Sequence, residues 1–243
     1  MKIAIIGYGR MGKEVEQLAI ERGHQISVVI DNEDDWLQKA EQLKEVEVAV
    51  EFAVPSVAVQ NMYRCFDLGV PLVEGTTGWY THLNEVKERC EAKGGAMVYA
   101  SNFSLGVNIF FELNKVLAEL MSKQQAYDVQ VKETHHTAKL DAPSGTAIVL
   151  ADEIIKHRSD KTEWINDVSE KQNQLSVLSY RIENTPGTHQ VIYSSPIDEI
   201  EIKHTAFNRK GLALGAVMAA EWICTQKGFH AVGDMFRSLG IVK

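Results

Sequence analysis

Three glycines, Gly7, Gly9 and Gly12, stand between a continuous apolar run and the start of an amphipathic helix, and no other feature of the chain constrains its fold as much. Residues 3 to 7 read Ile-Ala-Ile-Ile-Gly, and Val15, Leu18 and Ala19 then recur at helical spacing. A buried strand, a tight turn and a helix open a βαβ unit, which is the context a G-x-G-x-x-G needs before it means anything. The first glycine permits the turn, the second lets backbone N–H groups approach a pyrophosphate, and the third lets helix and strand pack closely. The positive helix end then faces the anion. Gly7, Tyr8, Gly9, Arg10, Met11 and Gly12 are therefore the candidate phosphate loop of a dinucleotide site. Asp31 closes the next apolar run, 26 to 30, at the distance where an acidic group accepts hydrogen bonds from the adenosine ribose. An anion there disfavours a 2′-phosphate. Arg10 could offset it and Asn32 adds no charge, so the expectation leans to NADH over NADPH.

Further apolar runs at 46–52, 71–74 and 96–100 alternate with helical stretches, one of which, 81–93, stops at Gly94-Gly95. Alternation of this kind implies right-handed crossovers and a parallel, doubly wound α/β sheet. Phe52-Ala53-Val54-Pro55 and Gly75-Thr76-Thr77-Gly78 then fall at the carboxyl ends of strands, where open sheets bind ligands, and could cover a nicotinamide. After Ser101-Asn102-Phe103-Ser104 the pattern changes. One long helix, 106–122, precedes β-like runs at 127–134, 175–182, 188–194 and 197–206, which suggests an α+β domain with a mixed or antiparallel sheet. The expected division is a dinucleotide-binding domain over 1–104, joined by a C-terminal helix 210–243, and a second domain over 105–209. No strand is expected after the apolar helix Leu212–Thr225, and the polar residues 156–174 read as a surface excursion.

Composition removes several function classes. With 33 acidic against 25 basic side chains the formal charge is −8, and no basic stripe is present to follow a nucleic acid. Cys65, Cys90 and Cys224 are odd in number and far apart, which fits neither a disulfide framework nor a metal knuckle. No run of 18 apolar residues occurs and no basic leader precedes the first strand, so a cytoplasmic, membrane-free protein is expected.

The densest chemistry runs from Glu133 to Ala147, Glu-Thr-His-His-Thr-Ala-Lys-Leu-Asp-Ala-Pro-Ser-Gly-Thr-Ala, from the end of a strand to the start of a helix. Adjacent His135 and His136 point to opposite faces of a strand and make poor joint metal ligands, so no metal is expected. Imidazole moves protons near neutrality and a lysine supplies a fixed cation or a second acid, which suits protonation of carbon after hydride arrival. Asp141 or Ser144 can cap the helix whose apolar face is Ala147, Leu150, Ala151 and Ile154. The N–H groups near Ser144, Gly145 and Thr146 then form an anion site suited to a carboxylate.

With these motifs in view, the chain resembles the 4-hydroxy-tetrahydrodipicolinate (dihydrodipicolinate) reductases of the lysine and diaminopimelate pathway. The likeness rests on Gly7 to Gly12, Gly75 to Gly78, Ser101 to Ser104 with Gly106-Val107-Asn108, and above all Glu133-x-His135-His136-x-x-Lys139-x-Asp141-Ala142-Pro143-Ser144-Gly145-Thr146-Ala147. Arg181, Gly187-x-His189 and His204-x-Ala206-x-x-Arg209 extend it over nearly the whole chain. The resemblance implies NAD(P)H-dependent reduction of a small cyclic dicarboxylate in a homotetramer. It implies His135 as proton donor or acceptor and Lys139 as the second donor, His136, Gly145 and Thr146 as substrate-carboxylate contacts, and Ala100, Ser101, Asn102 and Phe103 as further cofactor contacts beside Gly75, Thr76 and Thr77. The chain departs from the family in a short segment after residue 156 and in Glu183, where a glycine is usual. Two rivals remain. Another Rossmann dehydrogenase would need no paired carboxylate site, and a nucleotide-sensing regulator would bind cofactor whatever stood at His135 or Lys139.

Overall fold

The computed structural model describes residues 1–242. It divides into two compact units, Met1–Leu105 with Arg209–Lys243 and Gly106–Asn208.

The first unit runs β1 (Lys2–Ile6), α1 (Arg10–Glu21), β2 (Gln25–Ile30), α2 (Glu33–Lys39), a 3-10 turn, β3 (Val48–Glu51), α3 (Pro55–Leu68), β4 (Leu72–Glu74), a second 3-10 turn, α4 (Leu83–Ala92) and β5 (Ala96–Tyr99). Strand β1 shows why the sheet is internal. Ile3 and Ile5 enter one apolar cluster with Val15 and Leu18 of α1, while Ala4 and Ile6 enter another with Met62 and Phe66 of α3. Successive side chains leave a strand on opposite faces, so burial on both faces demands the unbroken apolar run. Each isoleucine so buried stabilises the fold by roughly 1.5–3 kcal/mol.

The second unit contains α5 (Leu105–Met121), whose first residue lies in the first unit, then β6 (Asp128–His135), α6 (Gly145–His157), β7 (Glu163–Ile165), β8 (Gln174–Arg181), β9 (Gly187–Ser194) and β10 (Glu199–Ala206). The sheet order is β10-β9-β6-β8-β7, with β6 parallel to β8 and antiparallel to β9. It is the mixed sheet expected from clustered strands. Phe110 and Ala118 of α5 and Leu150, Ala151 and Ile154 of α6 pack on Val129, Val131, Val177 and Val191.

The chain then returns to the first unit through α7 (Lys210–Ile223), β11 (Gly228–Ala231) and α8 (Val232–Ser238). Two expectations are corrected here. The segment 210–243 is not one helix, because β11 pairs in parallel with β5 as the edge of a sheet ordered β11-β5-β4-β3-β1-β2. Its four residues are only half-buried and carry no apolar period. Likewise the polar excursion 156–174 contains β7, a three-residue edge strand on β8. Both were too short to leave a periodic signal.

Candidate functional site

The glycine loop from Gly7 to Gly12 stands at the carboxyl end of the first unit's sheet, between β1 and α1. Gly7 adopts φ +85°, and a Cβ on Gly12 would stand 2.3 Å from the Gly7 carbonyl oxygen, so loop and helix close only with glycine at both positions. A Cβ on Gly9 would meet nothing within 4 Å, which leaves the loop's outer side open to a ligand. Gly9 is also the N-cap of α1 and supplies no side-chain cap, so the first N–H groups of that helix face outward as anion donors.

Two clefts adjoin this loop. One, of about 400 Å³, is walled by Gly7, Gly9, Asp31, Asn32, Glu33 and Asn61 among others; the second, of about 310 Å³, by Gly9, Arg10, Met11, Pro55, Gly75, Thr76 and Thr77. Asp31 accepts the Tyr8 backbone N–H at 2.6 Å, which ties the phosphate loop to the end of β2. Arg10 lines the other cleft. On the Asp31 side Arg64 is held by Glu33 at 2.5 Å with its guanidinium over Trp36, and Lys39 is held by Asp35 at 2.6 Å. Thr76 is mainly a brace: its hydroxyl accepts Ala53 N–H and its own N–H donates to Glu74. Ala100 and Phe103 are buried, Phe103 packing edge-on to Phe52, so their side chains belong to the core. Asn102 accepts the Ser104 N–H and, with half-exposed bearing, continues the loop after β5, where Ser101 is exposed.

In the second unit, β6 alternates exposed and buried residues, so Glu133 and His135 fall on the face that buries Val129 and Val131. Two positions that a core strand would give to apolar residues hold an acid and an imidazole. Glu133 is 0% exposed and His135 8%. One Glu133 oxygen, Oε2, bonds His135 Nδ1 in a short hydrogen bond. The other, Oε1, accepts both Arg181 Nη groups at 3.1 Å and the Ser144 N–H at 3.3 Å. Burial pulls the Glu133 carboxyl upward, but hydrogen bonds from the His135 ring, the Ser179 hydroxyl and Arg181 outweigh it and hold it down at about 2.

Arg181 also donates to the carbonyls of Lys139 and Asp141, at 3.3 and 2.5 Å, and so fixes the loop that carries the lysine. Lys139 Nζ contacts both Asp141 oxygens at 2.8 Å. Ser144, not Asp141, caps α6, its hydroxyl accepting Ala147 N–H. The Ser144 N–H, counted above as free, is taken by Glu133, which leaves the N–H groups of Gly145 and Thr146 at the helix end. His189 enters from β9 opposite Glu133; its Nε2 lies 3.0 Å from Ser144 Oγ and its ring 5.0 Å from that of His135. Burial, then the neighbouring His135 charge, pushes the His189 imidazole down to about 3, so it is neutral near pH 7. His136 is half-buried and lies just past the end of β6, not on a strand face as expected.

Glu133, His135 and His189 bring ligand-type atoms within 4.8 Å of one another. Both Glu133 oxygens are already engaged and the Arg181 guanidinium stands beside them, while His189 Nδ1 has no hydrogen-bond partner among the described residues. The sequence argument passed over Glu133, Arg181 and His189 as working parts. The signal was there in the period-2 pattern of β6, which extends the core face to an acid.

Comparison with known proteins agrees with this geometry. The description Dihydrodipicolinate reductase, N-terminus, matches residues 1–103 and Dihydrodipicolinate reductase, C-terminus, matches residues 106–236. The chain belongs to the dihydrodipicolinate reductase family. A 4-hydroxy-tetrahydrodipicolinate reductase of Christiangramia forsetii is 44% identical over 98% of this chain and 99% of its own. One from Staphylococcus carnosus is 31% identical over 97% and 99%. Among solved structures, the dipicolinate-bound dihydrodipicolinate reductase of Paenisporosarcina sp. TG-14 superposes with a TM-score of 0.74 at 20% identity, covering 97% of this chain and 99% of that one, so the family fold extends end to end. No helix among the described residues is long and apolar enough to cross a membrane.

Proposed function

We propose that this chain reduces 4-hydroxy-tetrahydrodipicolinate to tetrahydrodipicolinate with NADH, in the diaminopimelate route to lysine. The observation that carries the reading is the conjunction, in one loop, of His135 and Lys139 with the open Gly145 and Thr146 N–H groups at the start of α6. A cyclic dicarboxylate needs anion donors for its carboxylates and a proton source for its ring, and this segment supplies both.

The step balances as one water lost, one hydride gained and one proton taken up. Reduced nicotinamide, when bound, supplies the hydride. His136, Gly145 and Thr146 hold the carboxylates and thereby orient the ring. Lys139 keeps at least one ammonium proton to donate while Asp141 accepts others, and His135 exchanges the second proton. Gly7 to Gly12, with the α1 N-terminus, hold the pyrophosphate, Thr77 lines the adjoining cleft, and the loop from Ala100 to Phe103 borders the cofactor through its backbone and Ser101. Asp31 and Glu33 on the wall of the larger cleft, with Arg64 already paired, support NADH over NADPH. The family likeness supports a homotetramer working in the cytoplasm, and sedimentation at several concentrations reads the assembly.

The test is oxidation of NADH and NADPH, followed by nicotinamide absorbance, with substrate made in situ from pyruvate and aspartate semialdehyde by a coupled synthase. Synthase-dependent oxidation, faster with NADH, is expected. Cofactor binding without oxidation of either would sink the reading in favour of a nucleotide sensor.

A further inference from the structure

We infer that Glu133 is a positioning residue that fixes His135 as the tautomer protonated on Nδ1, so that Nε2 is the nitrogen that exchanges protons with substrate. Its kinetic consequence rests on the proposed reaction; the tautomer itself does not.

Glu133 Oε1 accepts from three N–H groups, two on the Arg181 guanidinium and one on the Ser144 backbone. A carboxylate so supplied beside a guanidinium has no reason to carry a proton, and its remaining oxygen offers only lone pairs. Nδ1 of His135 faces that oxygen, so Nδ1 must be the donor. In a neutral imidazole the proton can sit on only one nitrogen, and Nε2 is left as the base; once protonated, Nε2–H is the acid.

The surroundings of Nε2 agree. A Cβ on Gly187 would lie 3.0 Å from it and 3.3 Å from Cδ2, so the ring edge that carries Nε2 passes over a residue with no side chain. His189 stands edge-on at 5.0 Å without contributing a positive charge of its own. The carboxylate is thus pinned through one oxygen by Arg181 and works on the imidazole through the other.

Nitrogen NMR on the whole protein with labelled histidine tests the assignment without substrate. Eight histidines are present, and His135 is identified by the signals lost in His135→Gln. At alkaline pH the wild type should show a protonated Nδ1 and a bare Nε2 at this residue; a protonated Nε2 overturns the proposal. Glu133→Gln, whose amide oxygen stays on the three N–H donors and turns its N–H toward Nδ1, should shift the ring to the Nε2-protonated tautomer and lower kcat about 10–100-fold, with KM and NADH affinity changed less than about threefold. Glu133→Asp should recover part of kcat. Loss of kcat in Glu133→Gln with the tautomer unmoved would mean that Glu133 only holds the fold. A wild type inactive on the diacid would sink the proposed reaction while the spectrum still reads the tautomer.

Discussion

Glu133 in the second unit and the pair Glu51 and Glu74 in the first are all fully buried carboxylates, yet their surroundings drive them in opposite directions. Glu51 and Glu74 end adjacent parallel strands, in register with each other. Asn61 donates to Glu51 and the Thr76 N–H donates to Glu74, both at 2.7 Å. The other oxygens have no hydrogen-bond partner among the described residues, and the titratable neighbours, Cys65 and Tyr80, bring no positive charge. Burial raises Glu51 to about 7 and, with the Glu51 charge, raises Glu74 well above the usual carboxylate range. Glu133, equally deep, is held at about 2. Depth does not decide whether a buried acid is charged; the donors around it do. The pair holds on to protons between the ends of β3 and β4, whereas Glu133 is a fixed charge beside the His135 ring.

If proton chemistry belongs to the second unit alone, the largest effect should come from Lys139→Ala. Turnover should fall by about 10²–10⁴-fold, the worth of a positioned acid, while NADH affinity measured by fluorescence titration stays unchanged. An equal loss of cofactor binding would break the division of labour between the units.

Removing the cation that separates the two cases comes next. Arg181→Ala leaves Glu133 with the His135 ring, the Ser179 hydroxyl and one N–H, and should destabilise the protein by about 3 kcal/mol in urea unfolding, the low end for breaking a buried pair because Arg181 keeps 21% of its side chain exposed. It should also shift the acid limb. A carboxylate lowered in the folded state stabilises fully above its ordinary value of 4.5 and loses that contribution as pH falls through about 2. Without Arg181 the loss should begin at higher pH.

The pair should show the opposite slope. Glu51, raised to about 7, retains in the folded state a proton that the unfolded chain releases near 4.5, so its contribution is fully present below 4.5 and is lost as pH rises through about 7. Glu74→Gln removes the second carboxyl and keeps a donor for Glu51, so melting temperature should decline less between about pH 5 and about pH 8. The gain at the upper end should be roughly 1–3 kcal/mol, equivalent to one or two pK units. Identical slopes in variant and wild type would mean the pair is paired with a cation in solution.

What the sequence disclosed follows the same contrast. The parallel sheet and phosphate loop were legible because apolar runs and glycine spacing are local patterns, and Ile3 to Gly12 contain both. Lys139, His135 and the α6 N-terminus were legible because they lie within one stretch. Arg181 and His189 were not assigned work, since they reach Glu133 from 48 and 56 residues away through strand register, which no spacing reveals. Glu51 and Glu74 looked like ordinary strand ends for the same reason. Strand β11 escaped because a half-buried edge of four residues has no period to read.

Ser144 gives the smallest expected effect and the finest test of the contrast, because it joins a local role to a distant one. Its hydroxyl caps α6 through Ala147 N–H at 3.3 Å and lies 3.0 Å from His189 Nε2, while His189 Nδ1 has no partner among the described residues. Ser144→Ala keeps the backbone N–H that serves Glu133 and removes only the hydroxyl. If the hydroxyl is a cap alone, the loss should be about 1 kcal/mol in urea unfolding with kcat unchanged. We expect a modestly larger loss, because a buried imidazole then has both nitrogens unsatisfied and such groups cost about 1–3 kcal/mol. Ser144→Thr, which restores the hydroxyl, should recover most of it. A loss no greater than a cap's would mean that the hydroxyl contributes nothing to His189 and that the Glu133 network ends at the Ser144 N–H.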